Sequence, residues 1–269
     1  MNPNYAPAWY NKGYALHKLE KDKEAISYYD RALELEPDNE VTWYSKGYLL
    51  IILRKYEEAI ECFDKALKID PKFVKPWNNK GQALGKLGRA EEGLECLDKA
   101  WDLALESGLD KSDPGYVASI WDNKSYNLNE LQMYGEAMEC FDKALDLAPK
   151  YTSAWQNKIY AILHLSLREV SEKSIFIAPA TIFKAALSKV ENEKQFTAKI
   201  RKSIVFWFKD AVFEGYIGSK EKLTSLLKEF ERAFGELGVK TPSLDDIKKV
   251  CERSEKYEEY RDKVERIFG

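Results

Sequence analysis

Trp9, Trp43 and Trp77 stand 34 residues apart, and each leads the same ordered set of neighbours. Around Trp43 the set is Gly47, Leu50, Ala59, Phe63, Ala66 and Pro71, and the copy before it carries Gly13, Leu16, Ala25, Tyr29, Ala32 and Pro37. The copy after it has Gly81, Leu84, Gly93, Leu97 and Ala100, so small positions stay small and large ones stay apolar. Within each copy these residues fall at i, i+4 and i+7, then again at i, i+4 and i+7 after a gap, which is the spacing of two amphipathic helices. A recurring helix pair of this length cannot bury its apolar face alone, so consecutive copies must stack on one another.

That requirement assigns most of the recurring positions. Gly13, Gly47 and Gly81, with Ala25, Ala59 and Ala137, let the two helices of a pair approach closely, and Trp9, Trp43, Trp77, Trp121 and Trp155 read as a core ladder. The period breaks once, because Trp121 follows Trp77 by 44 residues. Trp101, Leu103, Ala104 and Leu105 continue the preceding helix, Gly108 stops it, and Ser107 to Gly115 reads as a loop, either solvated or an extra wall on a binding surface. The repeats are expected over residues 6–39, 40–73, 74–117 with the insertion, 118–151 and, in part, 152–170. Met1 to Tyr5 reads as the tail of a preceding repeat, so the chain either begins bluntly or is cut from a longer array.

From Ser171 the landmarks cease while helical periodicity persists. Ile200, Ile204, Trp207, Phe208 and Ala211 share one stripe, Leu223, Leu226, Leu227, Phe230 and Phe234 another, and Tyr257, Tyr260, Val264, Ile267 and Phe268 a third. Ser243 with Asp245 and Asp246 marks a helix start. The expected division is a repeat array over 1–170 and an all-helical region over 171–269 that caps the stack or forms a small bundle.

The charge balance, 42 Lys and Arg against 45 Asp and Glu, argues against nucleic acid or a membrane surface as partner. No apolar run approaches the ~20 residues that span a bilayer and no charged-then-apolar leader opens the chain, so a cytoplasmic protein is expected. Cys62, Cys96 and Cys140 each precede the large apolar residue of their repeat. Equivalent positions in stacked pairs lie about 10 Å apart, too far for a disulfide or a shared metal, so these and Cys251 read as buried apolar residues. His17 and His164 lie in different repeats, and the phosphate-binding and nucleophile-elbow motifs are absent from the sequence. No enzyme activity, cofactor or metal is expected.

The Trp, Gly, Ala-x-x-x-Phe-x-x-Ala and Pro pattern resembles the tetratricopeptide repeat (TPR) family over about five units in the first 170 residues. The resemblance implies an all-α fold, a right-handed superhelical stack of helix pairs (an α-solenoid), followed here by the C-terminal helices. It also implies a concave groove lined by the first helix of each pair, taking a protein or peptide segment. The stripe beside the Trp-Gly-Leu face supplies Tyr10 and Tyr14, then Tyr44, Tyr48 and Ile51, then Asn78 and Gln82, then Tyr126, then Tyr160. An asparagine column, Asn11, Asn79, Asn123 and Asn157, would hold an extended backbone through its amides. The other reading of both sets is packing between adjacent helices for the tyrosines and polar filler for the asparagines. The lysines after that column, Lys12, Lys46, Lys80, Lys124 and Lys158, read as solvated stems or as a row favouring an acidic ligand. Of the family's clamp for chaperone C-termini only Lys75 fits, since Tyr10, Tyr14, Ser45 and Asn79 occupy its other positions. Repeat two, with Tyr44, Ser45, Tyr48, Ile51 and Ile52, is the most apolar along this face. Two further readings stand beside the scaffold: a C-terminal effector module regulated by the repeats, and self-association into a homo-oligomer.

Overall fold

The computed structural model describes residues 4–169 and 177–268, with side chains over 4–165 and 178–268. Among the described residues every regular element is a helix. They pack as two units, Met1–Met133 and Tyr134–Gly269.

The first unit holds α1 (Ala6–Lys18), α2 (Asp22–Leu35), α3 (Glu40–Ile52), α4 (Tyr56–Ile69), α5 (Val74–Lys86), α6 (Ala90–Glu106), the single turn α7 (Leu109–Ser112) and α8 (Pro114–Glu130). It is an all-α solenoid: α1 pairs with α2, α3 with α4 and α5 with α6, and each pair packs on the next, so that α3 also meets α5 and α5 meets α8. The pairing distance is set by glycine. A Cβ built on Gly47 would lie 2.7 Å from Phe63 Cε1, and one on Gly81 2.6 Å from Leu97 Cγ and 2.8 Å from the Gly93 carbonyl oxygen. Ala25, Ala59, Phe63 and Ala66 are fully buried at those crossings.

Each helix pair turns through one left-handed residue at the same repeat position. Glu20, Arg54 and Gln132 have φ of 59°, 60° and 60°, and Gly88 has 76°. The insertion is more ordered than a loop: α6 runs to Glu106, Gly108 ends it at φ 68°, and α7 then fills much of the segment. Pro114 next opens α8 behind Asp113, whose side chain accepts the Tyr116 N–H at 3.0 Å.

The second unit comprises α9 (Tyr134–Leu147), α10 (Thr152–Glu169), α11 (Ile177–Leu187), α12 (Glu193–Phe213), α13 (Lys220–Phe234), a 3-10 turn (Gly235–Leu237), α14 (Leu244–Glu252) and α15 (Tyr257–Phe268). Its core is aromatic. Phe183, Phe196, Trp207, Phe208, Phe230 and Phe234 are buried together with Ile159 and Leu163 of α10, and the Phe230 and Phe234 rings stack at 4.7 Å. Ser243 caps α14 in a reciprocal box with Asp246.

Candidate functional site

In the first unit, α1, α3 and the start of α5 turn one face to a groove of about 460 Å³, lined among others by Tyr10, Tyr14, Tyr44, Tyr48, Phe73 and Lys75. The i, i+4 spacing of Tyr10 with Tyr14 and of Tyr44 with Tyr48 places each pair one turn apart on its helix. The four rings are not equivalent. Tyr14 and Tyr48 are 47% and 41% exposed, whereas Tyr10 and Tyr44 are half-buried.

Tyr44 is the hub of the groove wall. Its ring lies 5.3 Å from that of Phe73, 6.2 Å from Phe63 and 6.4 Å from Tyr48, and the Asn79 amide donates to its hydroxyl at 3.4 Å. Burial, and then the neighbouring Tyr48, pushes the Tyr44 phenol up to about 12. Tyr10 pairs its hydroxyl with Ser45 Oγ at 3.4 Å and packs on Tyr29 at 5.5 Å. His17 extends the wall: its ring meets Tyr48 edge-on at 5.9 Å while Nδ1 bonds Asp22 Oδ1 at 2.7 Å. Such an arrangement offers stiff aromatic area with polar tips, suited to side chains and backbone of a peptide.

The other positions singled out in sequence lie as follows. Ile51 packs against the core around Phe63. Asn11 is exposed and Gln82 half-buried. Asn78 is 2% exposed; its amide nitrogen donates to Ser119 Oγ at 3.2 Å and its carbonyl accepts from Asn123 at 2.9 Å. Asn127 donates to the Asn123 backbone carbonyl at 2.8 Å and to that of Gly81 at 3.4 Å, so Asn78, Asn123 and Asn127 join α5 to α8. Tyr126 is half-buried, with Lys86 Nζ 3.6 Å above its ring. Lys75 is exposed, with Nζ 6.0 Å from the Tyr116 ring.

Asn157 and Tyr160 belong to the second unit. There the Tyr160 hydroxyl donates to Asp210 of α12 at 2.9 Å and Gln156 donates to Ser203 at 3.0 Å. Within the second unit, therefore, α12 covers the face of α10 that carries Gln156 and Tyr160.

Four of the five lysines in the row are held in ion pairs, and the exposed Lys12 lies with its Nζ 4.5 Å from the Tyr28 ring. Lys46 and Lys80 bond Asp30 and Asp64, each at 2.6 Å, and Lys124 and Lys158 bond Asp98 and Asp142. Each ammonium also lies over the tryptophan of its own helix, Lys46 at 5.6 Å from the Trp43 ring and Lys80 at 5.9 Å from Trp77. These tryptophans are themselves half-buried rather than core, except Trp121 at 7% exposure. The Trp43 indole N–H reaches the Pro37 carbonyl at 2.7 Å and that of Trp77 the Pro71 carbonyl at 3.0 Å. At Trp43, Trp77 and Trp155 seam clamping, with the indole pinned by the preceding proline's carbonyl, replaces the core ladder expected from the sequence.

Phe73 and Asp30 were the less legible members of this surface. Phe73 is signalled only as an apolar residue in the polar stretch after Pro71, and the aspartates only by recurring one residue after the large apolar position. Cys62, Cys96, Cys140 and Cys251 are buried and free, and burial pushes the thiols of Cys62 and Cys251 up to about 11 and about 12. Among the described residues, no group of three His, Cys, Asp or Glu is placed to hold a metal ion, and no helix is long and apolar enough to cross a membrane.

Family profiles described as "Tetratricopeptide repeat" match residues 6–39, 41–73, 62–95 and 118–151. No curated protein matches the chain at a significant level. Among solved structures, PilW, a type IV pilus biogenesis factor, is similar with a TM-score of 0.62 at 18% identity over 91% of this chain and 97% of that one. The pilF product of Pseudomonas aeruginosa is similar with a TM-score of 0.57 at 16% identity over 96% of each chain. YrrB, described as a TPR protein with an unusual peptide-binding site, is similar with a TM-score of 0.51 at 21% identity over 70% of this chain and 87% of that one. At these identities the likeness is one of fold.

Proposed function

Because this chain belongs to the tetratricopeptide-repeat family through residues 6–151, we propose that it is a protein-interaction scaffold that holds an extended or helical segment of a partner in the groove of its first helices. The observation that carries this reading is the groove of about 460 Å³ walled by Tyr10, Tyr14, Tyr44 and Tyr48. Two of its rings stand out into solvent beside two that are pinned. Stiff, half-exposed tyrosine gives contact area at low entropy cost, which is what a peptide site needs. YrrB, similar in fold, is described as having a peptide-binding site, which supports the same use of the fold here.

The tyrosines make the contact in this reading, and Lys75 supplies a cation at the rim. Asn79, bonded to Tyr44, and Asn123, bonded to Asn78, meet a ligand only by exchanging those partners, so they position the wall. Asn11, Gln82 and Tyr126 extend the surface, and Gln156 and Tyr160 hold α12 as part of a C-terminal cap on the fifth repeat. Four buried free cysteines fit a reducing compartment, and the reading places the scaffold in the cytoplasm without catalytic activity. The test is affinity capture with wild type and with Tyr14→Ala plus Tyr48→Ala. Both rings are exposed enough to be removed without unfolding, so equal retention of every partner by the two proteins would sink the reading.

A further inference from the structure

The second unit carries a concave surface that the groove reading does not use. A cleft of about 500 Å³ lies between α12 and α14. The α12 side presents Lys202, Phe206 and Lys209, which fall at i, i+4 and i+7, and the α14 side presents Lys249, Val250 and Arg253. Its floor is apolar: Val205 is 7% exposed, and the Phe206 ring stands 39% exposed at the mouth. Lys202 and Lys209 hold their ammonium groups 6.0 Å and 5.6 Å from that ring.

The charges around the cleft are partly balanced. Arg201 bonds Asp246 at 2.8 Å, Lys209 bonds Asp210 at 2.9 Å and Lys249 bonds Asp245 at 2.6 Å. Lys202 and Arg253, on opposite walls, have no carboxylate within ion-pair distance among the described residues. Five cations thus ring an apolar floor with only three paired. In a cleft with low-dielectric walls such a ring attracts an anion that also carries apolar surface.

We propose that this cleft binds an acidic segment of a partner protein, with an aliphatic or aromatic side chain of the segment resting on Phe206 and Val250 and its carboxylates meeting Lys202 and Arg253. The chemistry favours a peptide over the other polyanions. The α12 stripe from Lys202 to Lys209 is about 10 Å long, enough for two turns of helix or three extended residues and too short for a phosphate backbone to run along. Asp246 lines the cleft, Asp210 and Asp245 pair with its Lys209 and Lys249, and these carboxylates repel a continuous anionic surface such as a lipid headgroup layer. A short segment places its carboxylates between them.

The test is fluorescence anisotropy on the full chain, with a fluorescein-labelled peptide repeating Glu-Glu-Leu as probe. Phosphatidylserine vesicles and a single-stranded oligonucleotide serve as the other anionic arms, and sedimentation reads self-association. The expected result is saturable peptide binding that weakens with salt. Lys202→Glu plus Arg253→Glu, both on exposed side chains, should weaken it about tenfold or more, which is the loss of about 1.4 kcal/mol of attraction. Phe206→Ala should weaken it severalfold, and Tyr14→Ala plus Tyr48→Ala in the other unit should leave it unchanged. Unchanged helical circular dichroism shows that each variant is folded. Peptide binding that ignores the charge reversal overturns the proposal. So do absence of peptide binding by the wild type, preference for vesicles or oligonucleotide, and occupation of the cleft by a second copy.

Discussion

The ammonium of Lys46 lies 2.6 Å from Oδ1 of Asp30, tying the second helix of one repeat to the first helix of the next. The same bond recurs at Lys80 with Asp64 and at Lys124 with Asp98 in the first unit, and at Lys158 with Asp142 in the second. With the lysine stem laid along the tryptophan, one residue type serves charge pairing, cation–π contact and coverage of apolar surface. Asp64 is 53% exposed in its side chain, so the bond is screened. Lys80→Ala should destabilise by less than ~1 kcal/mol. Urea unfolding of Lys80→Ala, Asp64→Ala and the double variant checks this, and a coupling energy indistinguishable from zero would show that the pair only decorates the seam.

Helix approach at the glycines should be far more costly to disturb. A Cβ on Gly81 meets Leu97 Cγ at 2.6 Å and the Gly93 carbonyl at 2.8 Å, and backbone cannot rotate aside. Gly81→Ala should therefore destabilise by ~1 to 3 kcal/mol through overpacking, although alanine is the better helix former. Thermal melts followed at 222 nm read the sign directly. A stabilised variant would mean that the α5 and α6 crossing is looser than described.

The left-handed turn residues predict a gain. Arg54 adopts φ 60° where Gly88 adopts 76° at the equivalent place, and side chains other than glycine are disfavoured there by roughly 1 kcal/mol. Part of that is returned by the greater freedom of glycine in the unfolded chain. Arg54→Gly should raise the urea midpoint modestly and Gly88→Ala should lower it, each the reverse of what helix propensity alone would give.

The acid response should carry the signature of Asp246. The Ser243 N–H donates to its Oδ2 at 2.9 Å, and Arg201 lies 2.8 Å away. Chiefly through that backbone hydrogen bond, its carboxyl is held below the ordinary value of 3.8. A depressed carboxylate stabilises the fold above its unfolded-state value, and that share is lost as pH falls through the native one. Asp246→Asn should thus lower the melting temperature at neutral pH, and the gap to wild type should close as pH drops below 3.8. A gap that persists in acid would assign the effect to packing instead of charge.

How much of this was legible follows from what repeats. Helices α2 and α4, at Asp22–Leu35 and Tyr56–Ile69, bury the residues that recur at i, i+4 and i+7 in the sequence, because one apolar face at period 3.6 marks a helix. Gly108 and Ser243 also announced their helix boundaries through local backbone chemistry. The groove tyrosines were legible as a stripe, yet Tyr44 and Tyr48 look alike in sequence and only the depth of packing separates them. The aspartate and lysine ladder was hidden because charged residues on helices usually face water, and its partners lie 16 residues apart, as Asp64 and Lys80 do, or 26, as Asp98 and Lys124 do. The seating of α12 on α10 through Tyr160 and Asp210 joins residues 50 positions apart, beyond any periodic signal.

In the proposed scaffold the face of Tyr14 and Tyr48 meets the partner. The most direct measurement of that contact is photocrosslinking with benzoylphenylalanine placed in turn at Tyr14, at Tyr48 and at the exposed Lys65 of α4, followed by mass spectrometry of the adducts. Positions 14 and 48 should capture the same short segment of one partner, and Lys65→Ala in the background should leave their yield unchanged. Adducts at Lys65 matching those at 14 and 48 in partner and yield would contradict that contact.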